Sequence, residues 1–196
     1  MNIKKMIVEA GKKLYDIKLV AGTSGNISMR NPYKEDSYFI TPSSMSYDQI
    51  TEDDIVEINS NGIPYIEGKV PSSEWRMHIE VYKKYENYNA IVHTHSTFAT
   101  ALAVNNEDIP YILVEMKAYL GGDIKVAPFR KAGSVELGEV ILPYLEDRNS
   151  CLLANHGTVS CGKDLEEAFI AAEYVEDAAK IYYYSKTMGT PKVLEL

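Results

Sequence analysis

Apolar residues recur at Ile3, Ile7, Ala10, Leu14 and Ile17, three or four apart, and the spacing predicts a helix over Ile3–Leu19. The small-residue run Ala21-Gly22-Thr23-Ser24-Gly25-Asn26 follows and reads as a loop. Short runs rich in β-formers predict strands at Asn26–Met29, Tyr38–Thr41 and Ile55–Ile58. Ser60-Asn61-Gly62 reads as a hairpin turn leading into a further strand, Ile63–Ile66. A helix capped by a serine is expected from Pro71-Ser72-Ser73, its apolar stripe being Trp75, His78, Ile79 and Tyr82. Strands are predicted at Ala90–His95 and Cys151–Ala154, with a helix at Thr97–Val104. Asp164-Leu165-Glu166-Glu167 has capping-box form and opens a long helix that Gly189 and Pro191 end. Alternating helices and strands with at least one hairpin predict an α/β protein with a mixed sheet covered by helices.

Composition narrows the class without naming a chemistry. The 196 residues are 45% apolar and 24% charged, which suits one domain, residues 1–196, with a core of its own. Against 20 Lys and Arg stand 28 Asp and Glu, a net charge of −8, so neither a broad nucleic-acid face nor an anionic-membrane face is expected. The two cysteines, Cys151 and Cys161, make no disulfide framework and suit a reducing, cytoplasmic setting. No window reaches the ~18 apolar residues of a membrane span, and the N-terminus lacks the apolar stretch of a signal peptide.

Three features carry candidate chemistry. In His93-Thr94-His95 the imidazoles lie two apart, so on a strand both point to one face and can reach one ion. Asn155-His156-Gly157 puts another histidine at a strand end; three such ligands with an open position are the pattern of catalytic zinc. Taken singly, these histidines also read as strand-end or turn residues, and His78 reads as a satisfied core histidine. Glu74, at a helix start, is favoured there by the helix dipole alone, and beside a metal it could ligate or move a proton. Small hydroxyl and amide residues cluster in Ser24-Gly25-Asn26, Thr41-Pro42-Ser43-Ser44 and Ser72-Ser73, each of which is ordinary turn chemistry or part of a phosphate cradle.

In combination and order, Thr23-Ser24-Gly25-Asn26, Thr41-Pro42-Ser43-Ser44, Pro71-Ser72-Ser73-Glu74-Trp75-Arg76, His93-Thr94-His95-Ser96 and Asn155-His156-Gly157 resemble the class II aldolase/adducin family. The likeness spans almost the whole chain and is nearest to its ketose 1-phosphate aldolases. It implies a three-layer α/β/α sandwich around a mixed, largely antiparallel sheet, assembled as a homotetramer. It also implies Zn2+ on His93, His95 and His156, with Glu74 as a further ligand without substrate and as proton carrier with it. Three imidazoles and a carboxylate also accept Mn2+, Co2+ or Fe2+. Gly25, Asn26, Ser43, Ser44, Ser72 and Ser73 match the family's phosphate-binding positions. The implied reaction cleaves a ketose 1-phosphate, of the L-fuculose 1-phosphate or 5-deoxyribulose 1-phosphate type, to dihydroxyacetone phosphate and a short aldehyde.

The chain departs from the pattern in places. Ser44 stands where the fuculose-cleaving members have glycine, and Val114 where they have a tyrosine proposed to protonate the leaving oxygen. Leu196 comes soon after the last helix, leaving no counterpart of the family tail that carries another tyrosine. Glu115 resembles the catalytic glutamate of the related 5-methylthioribulose-1-phosphate dehydratases and is a candidate second acid/base. The L-ribulose-5-phosphate 4-epimerases of this family carry aspartate where this chain has Glu74. A non-catalytic adducin-like interaction domain predicts lost ligands, whereas all four are present.

Overall fold

A computed structural model describes residues 2–195. Helix α1 (Ile3–Asp16) leads to strands β1 (Asn26–Arg30), β2 (Tyr38–Ile40) and β3 (Val56–Ile58). Helix α2 (Trp75–Lys84), strand β4 (Ala90–Thr94) and helices α3 (Thr97–Val104) and α4 (Val114–Leu120) follow. The chain continues through β5 (Val126–Ala127), α5 (Val135–Ile141), β6 (Ser150–Leu153), β7 (Gly157–Gly162) and α6 (Leu165–Met188). The strands form one sheet in the order β3-β2-β1-β4-β7-β6-β5. Every neighbouring pair is antiparallel except β5 and β6, so the expected mixed, largely antiparallel sheet is present.

Both faces of this sheet are covered, which makes the three layers. On β4, Ile91 packs with Met77, Ile79 and Tyr82 of α2 and with Leu137 and Ile141 of α5. Its neighbours Ala90 and Val92 point the opposite way, among Ile7 and Leu14 of α1 and Phe169 of α6. Residues of α3, α4 and α6 join Leu152 in a further cluster, made by Leu102, Met116, Leu120, Val175 and Ala179. Strand β4 is buried along its whole length, which is why it reads as an apolar run up to its histidine.

Several elements differ from the sequence expectation for identifiable reasons. Helix α1 ends at Asp16, because Lys18 takes a left-handed conformation (φ 63°) that the helix cannot pass through. Ile63–Ile66 forms no strand; one bridge pairs Ile58 with Pro64, and Ile63 and Ile66 are exposed. Pro64 has no N–H to extend the ladder, so the turn is made but the strand is not. Helix α2 begins at Trp75 with Glu74 in the cap position and no cap bond from its side chain; the serine contribution is instead Ser72, two residues earlier, whose Oγ accepts from Glu74 N at 3.4 Å. Its buried stripe is wider than expected, adding Met77 and Val81, because α2 lies between the sheet and α5. Helix α6 starts as expected, with Asp164 accepting from the Glu167 N–H. The return bond of the box reaches Lys163 N instead. No helix among the described residues is long and apolar enough to cross a membrane.

Candidate metal centre and its cleft

The end of β4 and the turn between β6 and β7 bring the histidines together. Strand β4 ends at Thr94, so His95 lies one residue past it, yet its Nε2 is 3.0 Å from His93 Nε2. His156 enters from the β6–β7 turn, where Asn155 is left-handed (φ 55°) and His156 N donates to Leu153 O at 3.0 Å. Asparagine tolerates that conformation better than most residues, and it turns the next side chain back over the sheet. Gly157 then packs so closely that a Cβ would lie 2.3 Å from Thr94 O and 2.9 Å from His95 Cδ2. Gly25 makes a similar approach on the other side, its missing Cβ falling 2.6 Å from His93 O at a φ of 75°. Neither position accepts a side chain without moving a histidine.

Glu74 closes the group from the start of α2. Its Oε2 is 2.9 Å from His93 Nε2, and its Oε1 is 3.2 Å from His156 Nε2 without hydrogen-bond alignment. The three rings stand edge to face with centroids 4.8 to 5.0 Å apart. One ligand atom from each of Glu74, His93, His95 and His156 lies within 4.8 Å of the others.

The electrostatics of the cluster suit a cation. Burial alone would raise the pKa of Glu74, but His93, His156 and the Asn26 amide outweigh it and hold the carboxyl well below its usual range. Burial and the neighbouring His93 push His95 and His156 down to about 4, so both rings are neutral at pH 7. Burial would lower His93 too, but the Glu74 charge reverses the shift and raises it. His93 Nδ1 lies 2.7 Å from the Thr158 carbonyl and donates to it, which turns Nε2 inward as a lone-pair donor. Glu74 Oε1 is buried with no hydrogen-bond partner. Converging lone pairs and an unsatisfied buried carboxylate oxygen cost energy that a bound divalent ion removes, so the donor set fits a metal.

The hydroxyl loops open onto the same place. Ser72 N donates to Thr41 O at 2.9 Å and Ser43 N to Val70 O at 3.2 Å, joining two loops through their backbones. Thr41 ties the pair to β1, its N–H bonding Ile27 O and its Oγ1 accepting from Ile27 N. The resulting cleft of about 240 Å³ is lined by Gly25, Asn26, Ser43, Ser44, Ser72 and Ser73 together with Glu74, His95 and His156. Backbone N–H groups of Gly25, Ser44 and Ser73 donate to no partner among the described residues, which leaves them free for an anion. Ser44 is left-handed (φ 58°), the conformation in which glycine costs least.

The cleft also includes Thr23, Pro42 and Ala132. Ala132 carries no sequence signal, since it arrives on the loop after β5 by tertiary packing. Glu115 is not brought into this cleft; it is exposed in the first turn of α4, whose Met116 and Leu120 pack in the layer with α6. His78 is a bonded core residue as expected, although its bonds lead back towards Glu74.

Comparison with known proteins agrees with this geometry. The profile of the class II aldolase and adducin N-terminal domain matches residues 5–183. The chain belongs to that family. It is 37% identical to a 5-deoxy-D-ribulose 1-phosphate aldolase of Bacillus thuringiensis serovar kurstaki, over 97% of this chain and 89% of the relative. It is 35% identical to the L-fuculose phosphate aldolase of Escherichia coli, over 97% of this chain and 86% of the relative. A solved L-fuculose 1-phosphate aldolase structure superposes with a TM-score of 0.93 at 38% identity, covering 98% of this chain and 90% of that one. The family's layered fold and its cluster of histidines and a glutamate are thus both present here.

Proposed function

We propose that this protein is a zinc-dependent aldolase of the cytoplasm that reversibly cleaves a ketose 1-phosphate to dihydroxyacetone phosphate and a short aldehyde. The observation that carries the reading is the shared cleft: Glu74, His95 and His156, clustered with His93 behind them, line the same space as Gly25, Ser44 and Ser73 with their free N–H groups. A phosphorylated ketose needs both ends of such a site, one for its phosphate and one for its carbonyl. The names of the relatives point to L-fuculose 1-phosphate and 5-deoxyribulose 1-phosphate as leading substrates.

His93, His95 and His156, with Glu74 when no substrate is present, would hold the metal, which when bound supplies Lewis acidity to the ketose carbonyl. Gly25, Asn26, Ser43, Ser44, Ser72 and Ser73 hold the phosphate through backbone N–H and short side chains. As the bond between carbons 3 and 4 breaks, the carbon-4 hydroxyl loses its proton and becomes the aldehyde. Glu74, ionised beforehand, takes up that hydroxyl proton and delivers it to carbon 3 of the other half, and in the reverse direction it carries the proton from carbon 3 back to the oxygen. Its low pKa keeps it ionised, its free Oε1 is the oxygen able to carry the proton, and Asn26 restrains the other. The family resemblance further points to a homotetramer.

A panel assay on metal-loaded protein tests the reading. Release of dihydroxyacetone phosphate from L-fuculose 1-phosphate or 5-deoxyribulose 1-phosphate is expected. Epimerisation of ribulose 5-phosphate or dehydration of methylthioribulose 1-phosphate, without triose phosphate from any ketose, would overturn it.

A further inference from the structure

His78 lies one helical turn beyond Glu74 on α2 and is fully buried. Its Nε2 is 2.5 Å from Asn26 Oδ1, and its Nδ1 is 2.6 Å from Ser28 Oγ. Ser28 Oγ is in turn 2.8 Å from the Tyr82 hydroxyl. At the other end, Asn26 Nδ2 donates to Glu74 Oε2 at 3.0 Å. An unbroken buried chain thus runs from Tyr82 through Ser28, His78 and Asn26 to the carboxylate.

The chemistry of the groups allows this chain one direction. An ionised carboxylate only accepts, so Asn26 must turn its NH2 to Glu74 and its carbonyl oxygen to His78. His78 must then donate through Nε2, and as a neutral imidazole it keeps Nδ1 as an acceptor for the Ser28 hydroxyl. Ser28 oxygen accepts from Tyr82, which completes the line. Were the Asn26 amide reversed, its carbonyl oxygen would face the carboxylate and repel it, and His78 would have to take the other tautomer, donating to Ser28 through Nδ1.

We infer that His78 is a positioning residue, whose Nε2–H holds the Asn26 amide in the orientation that Glu74 requires and thereby keeps the two oxygens of Glu74 distinct. Asn26 tethers Oε2, while Oε1 has no hydrogen-bond partner and stays free to ligate or to carry a proton. The role rests on the reading of Glu74 as ligand and proton carrier, and it adds the group that orients it. Filling the core would need only the volume of an imidazole, whereas orienting Asn26 needs a donor at the Nε2 position.

Two polar variants separate those roles. His78→Gln places an N–H where Nε2 stood; His78→Asn is shorter and keeps a polar group beside Ser28 without reaching Asn26. Each is purified with Zn2+ and compared for melting temperature, Zn2+ affinity and the absorption spectrum of its Co2+ form. Calorimetric binding of inorganic phosphate is measured alongside. His78→Asn is expected to weaken Zn2+ binding about 10–100-fold, the usual effect of losing an outer partner of a ligand. It should also shift the Co2+ spectrum, with His78→Gln staying within about threefold of the parent. In an Asn26→Ala background, His78→Asn should add less than about twofold, since its route to Glu74 is gone. Equal losses in both variants, an unchanged spectrum in His78→Asn, or a full additional effect on Asn26→Ala would overturn the assignment. None of these readouts needs a ketose. Absent turnover with the expected metal data therefore sinks the substrate reading alone, and normal turnover with unmoved metal data sinks only the positioning role.

Discussion

On one side of the cleft, Glu74, His93 and Asn26 are buried, and each has a bonded partner behind it, from the Thr158 carbonyl to His78. On the other side, Ser44 and Ser73 are exposed and Ser43 is half-buried, held chiefly by the backbone bonds that join their loops. The difference follows the cargo each side suits. A metal needs several lone pairs placed to within a fraction of an ångström, which rigid strands and helix starts provide. A phosphate carries its own charge and several acceptors, and loop N–H groups that remain partly open to water can meet it.

Removing a ligand should break the buried side most completely. His93→Ala is expected to lose bound Zn2+ on dialysis, beyond the about 10–100-fold that removing an outer partner costs, as read by elemental analysis. Retained stoichiometric metal would exclude His93 from the site. Next in size, Glu74→Gln should keep its melting temperature but lose turnover by about 10²–10⁴-fold, the range of a general acid–base group. Full activity in that protein would remove the proton-carrying role.

Gly25 joins the two sides, since its chain passes over His93 O and then lines the cleft. Gly25→Ala should destabilise by about 1–3 kcal/mol through the clash and the left-handed backbone, and it should weaken metal and phosphate binding together. Independent behaviour of the two affinities would show that the sides are not coupled there.

Acid should act on the buried side alone. Burial holds His78 at a pKa of about 3 in the fold, against about 6.5 in an unfolded chain. Its stabilising contribution is complete above pH 6.5 and is lost as pH falls towards 3, at up to about 1.4 kcal/mol per pH unit. Denaturant titrations of metal-free protein at pH 7 and 5.5 should show His78→Gln losing less stability between them than the parent. An equal loss in both would place the acid sensitivity elsewhere. The smallest effect is expected on the open side: Ser44→Gly relieves a left-handed residue and should stabilise by up to about 1 kcal/mol. Phosphate affinity should stay within about twofold there. A large fall would show that the Ser44 side chain itself binds.

Much of the buried side was legible before folding. His93 and His95 are two apart, and strand periodicity alone puts them on one face. His156 and Glu74 could be named as candidates from their positions at element ends, and the order of the motifs supplied the family. Other elements carry weak signals. Strand β7, Gly157–Gly162, has glycines at both ends and becomes a strand because β4 and β6 pair with it from either side. Helices α4 and α5 span seven residues each, too short to be stable alone, and are made by packing. Glu115 shows the converse, a residue whose place in a motif suggests a site that this chain's own fold does not build around it.

The sequence by itself determined a mixed sheet covered by helices, because periodicity, caps and turn chemistry are local properties. The three layers, the candidate ligand set and the candidate phosphate loops were legible only through the family resemblance of the ordered motifs. Only the tertiary structure decided that Ser72 meets Thr41, that Ala132 lines the cleft, and that the core residue His78 bonds the amide beside Glu74. Those facts depend on contacts between residues far apart in the chain, from Thr41 and Ser72 to Asn26 and His78, whose register is set by sheet pairing and core packing together.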